Sequence, residues 1–220
     1  MNRREENKEL KRDKIISAAK EIISSEGLDK LTMRYLADYA GVSSRTPYNL
    51  FESKTDILVA IIMDAMKPLK LSIFKSNDQL LIEQTLNIPN ILRDFCKTDH
   101  DFYRDIIWGI MSSGIKSSRD TATSAISDIV PPLIQQIVNQ KECSDKINVR
   151  VLSSHIATQF LAIIGMWGGS QLGLNEAIIN IQLAWTNSLM PYATRKSKAF
   201  LTQAQLDFTD QLELAIDNKK

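Results

Sequence analysis

The feature that most constrains this chain is the stretch from Thr32 to Ser43, which reads T-M-R-Y-L-A-D-Y-A-G-V-S. It has the pattern of a short amphipathic helix that ends at Ala-Gly and is followed, after a turn of a few residues, by a serine able to start another helix. The small residues Ala40 and Gly41 would let two helices meet at a steep angle, and Val42 would fill the gap between them. This pattern predicts a helix-turn-helix unit whose second helix projects from the domain.

Further helix signals surround this unit. The aliphatic residues upstream recur at helical spacing: Ile15, Ala18, Ala19, Ile22 and Ile23. They predict a short helix that stops at Gly27, where a left-handed C-cap requires glycine. Thr32 can cap the second helix, and Ser53 followed by Asp56 has the spacing of a capping box that opens a fourth helix toward Pro68.

The rest of the chain is also predicted to be helical. With 8 Gly and 6 Pro in 220 residues and no strict alternation of apolar and polar residues, no segment indicates a strand. Apolar-periodic segments lie at about 78–97, 100–115, 119–140, 146–168, 175–192 and 200–217. The sequence therefore predicts an all-α protein with a helix-turn-helix domain at 10–68 and a larger helical domain at 69–220.

Charge and cysteine content narrow the function without identifying it. Residues 1–68 carry 12 Lys and Arg against 11 Asp and Glu, so an expectation of DNA binding rests on the motif and not on net charge. Cys96 and Cys143 are far apart, lack zinc-ligand spacing and are expected to be reduced thiols. No apolar leader or 18-residue apolar run is present, so we expect a cytoplasmic protein without a membrane span.

The projecting helix supplies the candidate DNA-binding residues. Arg45, Thr46, Tyr48 and Asn49 could reach base edges or phosphates, and Lys54 would lie beside the DNA backbone at the start of the next helix. The full candidate set is Thr32, Arg34, Ser43, Ser44, Arg45, Thr46, Tyr48, Asn49 and Lys54. Tyr48 and Phe51 share a face, and we expect Phe51 to be core and Tyr48 to contact phosphate.

Two details of this region carry specific expectations. Pro47 falls within the projecting helix, where a proline beyond the first turn would remove a hydrogen bond and clash with a carbonyl. We therefore expect the helix to start late, with Ser44 at the N-cap and Pro47 at the third helical position. The N-terminal cations Arg3, Arg4, Lys8, Lys11 and Arg12 alternate with acids, and either a phosphate-binding arm or a solvated start of the first helix fits them.

The sequence resembles the TetR/AcrR family of bacterial transcriptional regulators over about 45 residues. The resemblance is carried by Ile15, Ala18-Ala19, Gly27, Thr32, Leu36-Ala37, Ala40-Gly41-Val42-Ser43, Thr46, Tyr48, Phe51, Ser53-Lys54 and Leu58. It implies a homodimer, an operator with two half-sites, and repression that a small-molecule effector relieves. The larger domain resembles the family only in length and helical character.

The second domain contains candidates for an effector site. Large side chains with an apolar neighbour one turn away could line a cavity, and His155 with Gln159 could orient a polar group. The candidate set is Phe102, Trp108, Met111, His155, Gln159 and Phe160. Ordinary core packing, and a structural role for His155, are the competing interpretations.

Segments 146–168 and 175–192 have apolar residues around more than half of their circumference. Either they are buried centrally within one subunit, or they pack inward on one side and against a second subunit on the other; the family resemblance favours the second. A competing function is a ligand-independent DNA-bridging protein whose second domain serves only dimerisation. No nucleophile elbow, phosphate-binding glycine loop or metal-ligand spacing is present, so we expect neither an enzyme nor a bound cofactor or metal.

Overall fold

The computed structural model describes residues 3–65, 80–113 and 129–218. Within those ranges the chain is helical and contains no β-strand; Cys143 and Ala193 form an isolated bridge. The all-α prediction is therefore confirmed. The helices are α1 (Arg3–Glu26), α2 (Met33–Tyr39), α3 (Arg45–Leu50), α4 (Lys54–Ala65), α5 (Leu81–Lys97), α6 (His100–Ser112), α7 (Val130–Asn139), α8 (Val149–Gly168), α9 (Leu174–Leu189) and α10 (Lys198–Asp217).

The observed helices overlap the predicted segments, with one clear exception. The first helix is not short: α1 begins at Arg3 and runs for 24 residues, so the charged N-terminal residues continue the helix that carries Ile15 and Ile22. The predicted segment 119–140 is confirmed only at its end, as α7, because residues 119–128 lie outside the described ranges.

The described chain divides into two compact units. The first comprises residues 3–65 and 101–113, and the second comprises residues 80–100 and 129–218. This grouping adds nearly all of α6 to the first unit, beyond the continuous 10–68 stretch expected from the sequence. The polypeptide therefore leaves the first unit after α4 and re-enters it at the start of α6.

The core of the first unit is formed by α1, α2, α4 and α6. Ile15, Ile57, Ile61 and Ile106 are fully buried in one cluster. The helix α6 lies close to its neighbours at Gly109, where a Cβ atom would be 2.7 Å from Leu28 Cδ2 and 2.9 Å from Leu58 Cδ1. Glycine at this position lets the helix approach the rest of the unit closely.

In the second unit α9 packs against α5, α8 and α10. Gln182 on α9 is buried, and its Nε2 donates to the Leu86 carbonyl oxygen at 2.9 Å, one turn before the internal Pro89 of α5. Among the described helices, α8 alone has the length and apolar composition of a membrane span. Core helices share those properties, and α8 contributes Leu152 and Trp167 to the core of this unit.

The start of α5 is held by a residue far away in sequence. Glu142 is fully buried, and its carboxylate accepts hydrogen bonds from the backbone N–H groups of Leu81 at 3.1 Å and Ile82 at 2.8 Å. Lys196 Nζ lies 3.4 Å from the same carboxylate. The Glu142 backbone carbonyl accepts from the hydroxyl of the buried Ser197. Glu142 thereby caps α5 and joins it to the loops before α8 and before α10.

Candidate nucleic-acid interface

The turn between α2 and α3 has the geometry that the sequence predicts. Thr32 Oγ1 caps α2 by accepting from the Tyr35 N–H at 3.2 Å. Gly41 has φ +59°, in the left-handed region, and the Val42 N–H bonds the Ala37 carbonyl at 3.0 Å. Together these contacts form a glycine C-cap that ends α2 and redirects the chain into α3. Gly27, after α1, also has a positive φ of 88°, but its ψ of 161° is extended and not left-handed helical.

The start of α3 confirms the expectation for Pro47. Helix α3 begins at Arg45 with Ser44 at the N-cap, so Pro47 is the third helical residue, and it is buried. Ser44 thus occupies the expected N-cap position, but it has helical dihedral angles and its side chain makes no capping hydrogen bond. The Ser43 hydroxyl instead bonds the Thr46 hydroxyl at 2.8 Å, and the Thr46 N–H reaches the Ser43 carbonyl.

Helix α3 is buried on one side and exposed on the other. Phe51, at its end, is 4% exposed and belongs to the core, as expected. Tyr48 is 58% exposed, and Arg45 and Asn49 are also exposed. Of the other candidates, Thr32, Arg34, Ser43 and Ser44 are exposed, whereas Thr46 and Lys54 are half-buried. Helix α3 therefore presents polar and aromatic groups on a rigid support.

Lys54 is more constrained than the sequence suggests. Its Nζ donates to the Leu28 carbonyl oxygen at 2.7 Å, which ties the start of α4 to the turn that follows α1. Burial lowers the pKa of Lys54, and the nearby Asp29 opposes that shift. The Lys54 amine therefore has a hydrogen-bond acceptor within its own domain in the absence of nucleic acid.

Arg12, which the sequence placed only among the N-terminal cations, contacts the end of α3. Its Nη1 donates to the Leu50 carbonyl oxygen at 3.4 Å, and its guanidinium lies 4.3 Å from the centre of the Phe51 ring. Arg12 thus satisfies a carbonyl at the C-terminus of α3 and stacks on the residue that anchors it. No local signal could reveal a contact between residues 38 positions apart in the sequence.

Polar contacts also hold α1 to its neighbours. Lys20 Nζ lies 2.8 Å from Asp64 on α4. The Tyr35 hydroxyl donates to Glu26 at 2.7 Å and the Tyr39 hydroxyl to Glu21 at 3.2 Å. Each of these hydrogen bonds to a carboxylate raises the pKa of its tyrosine. These contacts fasten α1 to α2 and α4 through side chains on its polar side.

The six effector-site candidates are divided between the two units. Phe102 and Met111 pack against the core of the first unit, in agreement with the competing interpretation that they are ordinary core residues. Trp108, on the same helix, is 48% exposed. In the second unit, His155 Nε2 and Gln159 Nε2 lie 3.0 Å apart. The rings of Phe160 and Trp185 are 6.3 Å apart.

Among the described residues of the second unit, some buried polar atoms have no hydrogen-bond partner. They are the hydroxyl of Ser153 and the indole N–H groups of Trp167 and Trp185. Ser153 and Phe160 lie two turns apart on α8, and Phe160 contacts Trp185 across to α9. None of Ser153, Trp167 and Trp185 is among the effector-site candidates that the sequence suggested. Among the described residues, no three His, Cys, Asp or Glu side chains form a group suited to a metal ion.

Residues 15–61 match the sequence profile of the bacterial regulatory proteins of the tetR family. The resemblance noted from the sequence is thus confirmed over the helices α1 to α4. Comparison with curated proteins gives no match.

Solved structures extend the similarity to the whole fold. The Thermus thermophilus repressor FadR, solved with lauroyl-CoA, is 15% identical with a TM-score of 0.62, over 79% of this chain and 92% of that one. SmeT, the repressor of a Stenotrophomonas maltophilia multidrug efflux pump, is 14% identical with a TM-score of 0.57, over 84% and 91%. TylP from Streptomyces fradiae, a TetR regulator, is 15% identical with a TM-score of 0.57, over 95% and 97%. At these identities the similarity establishes the fold.

Proposed function

We propose that this chain, which carries the N-terminal domain and the fold of the tetR-family regulators, is a homodimeric repressor that binds a pseudo-palindromic operator and releases it when a small-molecule effector binds. The observation that carries the DNA-binding half is helix α3. Its inner side is anchored by Pro47 and Phe51, and its outer side exposes Arg45, Tyr48 and Asn49. Such a role also implies that the protein acts in the cytoplasm.

In the proposed complex α3 lies in the major groove. Arg45 and Asn49 are one turn apart and would reach base edges, because arginine pairs with guanine and asparagine with adenine. Tyr48, with Thr32, Ser43, Ser44 and Lys54, would contact phosphates and fix the register of the helix. Two copies related by a twofold axis would then read two half-sites.

Binding is tested with duplexes selected from a random 30-base-pair library by the full chain, followed by anisotropy titration. Tyr48→Ala and Asn49→Ala are expected to weaken binding about tenfold or more, since each removes a groove or phosphate contact worth about 1–3 kcal/mol. Tyr39→Ala is the matched control, an exposed tyrosine of the same unit outside α3. Failure to select any duplex, or unchanged affinity in both α3 variants, would contradict the proposal.

We place the effector in the second unit. A buried donor without a partner costs about 1–3 kcal/mol, which a ligand acceptor would recover. The indole N–H of Trp185 beside the ring of Phe160 is such a donor, and His155 and Gln159 lie on the same helix as Phe160. FadR of Thermus thermophilus, which has this fold, was solved with lauroyl-CoA. These features favour an effector with an apolar body and a carbonyl or carboxylate oxygen.

The effector proposal is tested with lauroyl-CoA and dodecanoic acid as probes. Either probe is expected to raise the melting temperature, to change the fluorescence of Trp185 and to release the selected duplex. Phe160→Ala is expected to weaken these effects, and the exposed Trp108→Phe is expected to leave them unchanged. If neither these acyl probes nor a broader panel of apolar acids and esters releases DNA, the ligand-independent bridging function would replace this half of the proposal.

We propose dimerisation through segments 146–168 and 175–192. Helix α8 exposes a continuous row at spacings of three to four residues: Val151, His155, Thr158, Ala162 and Met166. Helix α9, in contrast, is largely buried within its own unit by α5, α8 and α10. The exposed row of α8 therefore supports packing against a second subunit on its outer side. Most of α9 fits the alternative, in which the helix is buried within one subunit.

A further inference from the structure

Four helices of the second unit pack in a closed ring. Helix α8 packs against α7 and α9, and α5 packs against the same two helices. Such a ring encloses an interior where side chains of facing helices meet, and helical bundles build their ligand sites there. The buried residues of α8, among them Ile156 and Ile164, mark the side of the helix that faces this interior.

The centre of that side is a row of three residues on α8, which we call the inner row: Ser153, Phe160 and Trp167. They follow one another at intervals of seven residues, close to two helical turns, so their side chains leave the helix in nearly the same direction. The exposed Val151 and Thr158 lie on the opposite side. At a rise of about 1.5 Å per residue, the inner row is about 21 Å long.

The inner row coincides with the buried polar atoms that have no hydrogen-bond partner among the described residues. These atoms are Ser153 Oγ at one end of the row, Trp167 Nε1 at the other end, and Trp185 Nε1. The ring centre of Trp185 lies 6.3 Å from that of Phe160, the middle residue of the row. Buried donors are almost always paired in proteins. Three of them along one line therefore indicate acceptors supplied by a bound molecule.

The cations of the four helices do not serve this row. Helices α7, α8 and α9 together contain one cation, Arg150, which is exposed at the start of α8. On α5, Lys97 is exposed and Arg93 pairs with the exposed Asp94 at 3.1 Å. A carboxylate or phosphate beside the inner row would lose its hydration without gaining a counter-charge from these helices. The row therefore suits acceptor oxygens that carry no charge.

We propose that the inner row binds an elongated, uncharged effector that carries a carbonyl oxygen, as in an ester or a ketone, at each end of an apolar chain. Ser153 donates to the oxygen at one end and Trp167 to the oxygen at the other. Trp185 is positioned for a third acceptor between them, and Phe160 contacts the chain. This inference rests on the proposed function and narrows its effector class, because it selects the neutral carbonyl over the carboxylate.

The test compares dimethyl hexadecanedioate, which has a carbonyl at each end, with methyl hexadecanoate, which has one. Both are delivered to the full chain from methyl-β-cyclodextrin, and their affinities are measured by isothermal titration calorimetry. Wild type should prefer the diester. Ser153→Ala and Trp167→Phe should each lower the ratio of diester to monoester affinity about fivefold, the effect of one hydrogen bond between neutral groups.

The ratio of affinities is used because a change in the shape of the site affects both esters alike. A single variant leaves the monoester one intact donor at the other end, whereas the diester loses one of its two contacts. Trp108→Phe, in the first unit, is the matched control and should keep the wild-type ratio. No binding of the diester, or equal ratios in wild type and both variants, would overturn the inference.

The charge of the effector is tested with hexadecanedioic acid, the dicarboxylate of the same chain. At neutral pH it should bind wild type about tenfold more weakly than the dimethyl ester, since both of its ends must be desolvated without a counter-charge. A diacid that binds as tightly as the diester would overturn the neutral class.

The ligand-free protein provides a second measurement at Ser153. Removing a buried hydroxyl that has no partner should raise the melting temperature, measured by circular dichroism. Ser154→Ala, on the exposed side of α8, has the same gain in helix propensity and is the control. Ser153→Ala should melt above this control, and a lower melting temperature would contradict the inference.

The outcomes for this inference and for the proposed function are distinct. If the inner-row variants behave as wild type while the acyl probes or the broader panel still release DNA, only the inference fails. If none of these compounds, the diester included, releases DNA from the full chain, the effector half of the proposed function fails as well.

Discussion

The side chain of Lys54 has a structural contact within the domain and a proposed role in DNA binding. The amine bonds the Leu28 carbonyl within the domain, and it is also a candidate for phosphate binding. Lys54→Ala should therefore lower the free energy of unfolding by about 1 kcal/mol, the scale of a partly exposed hydrogen bond to a charged group, in addition to weakening DNA binding. Urea unfolding measures the first effect and anisotropy the second. The exposed Tyr48→Ala should change only the second, and an unaltered urea midpoint for Lys54→Ala would rule out the structural role.

The two cysteines give a prediction with a defined direction in pH. Burial raises the pKa of Cys96 to about 12, and burial with the nearby Glu142 raises the pKa of Cys143 to about 12, from an ordinary value of 9.0. Between pH 9 and 12 the unfolded chain loses these protons while the folded chain keeps them, so stability is present below pH 9 and is lost above it.

This loss is measured by urea unfolding at pH 8 and pH 10. Relative to Cys96→Ala/Cys143→Ala, wild type should lose about 1 kcal/mol for each thiol over that interval, since one pKa unit corresponds to about 1.4 kcal/mol. The constant cost of the missing sulfur atoms cancels in the comparison. At pH 8 the native thiols should react with a disulfide reagent far more slowly than the unfolded ones. Equal rates in both states would contradict the burial.

At the scale of one helix, Glu142 shows how α5 depends on a distant loop. Glu142→Gln keeps the size of the side chain but turns an amide N–H₂ toward the Leu81 or Ile82 N–H, so one backbone donor loses its acceptor. We expect a loss of about 2 kcal/mol in the free energy of unfolding. Glu213→Gln, on the exposed surface of α10, is the control and should be neutral. A Glu142→Gln variant as stable as wild type would show that the cap contributes nothing.

Helix α6 should be sensitive to side-chain size at Gly109. Gly109→Leu would collide with Leu28 and Leu58 and should cost about 1–3 kcal/mol, as overpacking does. Gly109→Ala should cost less, because better helix propensity offsets part of the crowding and leucine methyl groups can shift. Thermal unfolding compares both with Ser112→Leu, an exposed position on the same helix. If Gly109→Leu has the same melting temperature as the Ser112→Leu control, α6 does not approach the rest of the unit this closely.

Local sequence signals predicted most of the helices, but they could not predict contacts between residues far apart in the sequence. Thr32, Gly41, and Ser53 with Asp56 act within four residues of where they stand, so their caps could be read from the sequence; the Asp56 N–H does reach Ser53 Oγ at 3.2 Å. The charged start of α1 was ambiguous because helix and arm have the same composition. Two contacts depend instead on how the helices pack, which no local sequence pattern encodes. They are the contact of Arg12 with the end of α3 and the close approach of Gly109 to Leu28.

At the scale of the whole molecule, dimerisation should respond to a charge in the α8 row. Ala162→Arg places a cation within that exposed row, and burying it in an interface would cost several kcal/mol. We expect wild type to be a dimer at micromolar concentration and the variant to be a folded monomer, measured by size exclusion with light scattering. Gln135→Arg on α7 is the control and should stay dimeric. If the Ala162→Arg variant remains dimeric, the subunit interface does not include the exposed row of α8.

The return of the polypeptide into the first unit has a consequence for protein engineering. Chimeric regulators are often assembled by joining the DNA-binding segment of one protein to the sensor of another at a single point. Here a cut after α4 would remove Ile106 and Ile110 and leave the cluster around Ile57 and Leu58 open to water. A functional graft would need α6 as well, so the exchangeable part is a discontinuous pair of segments and not the first 65 residues alone.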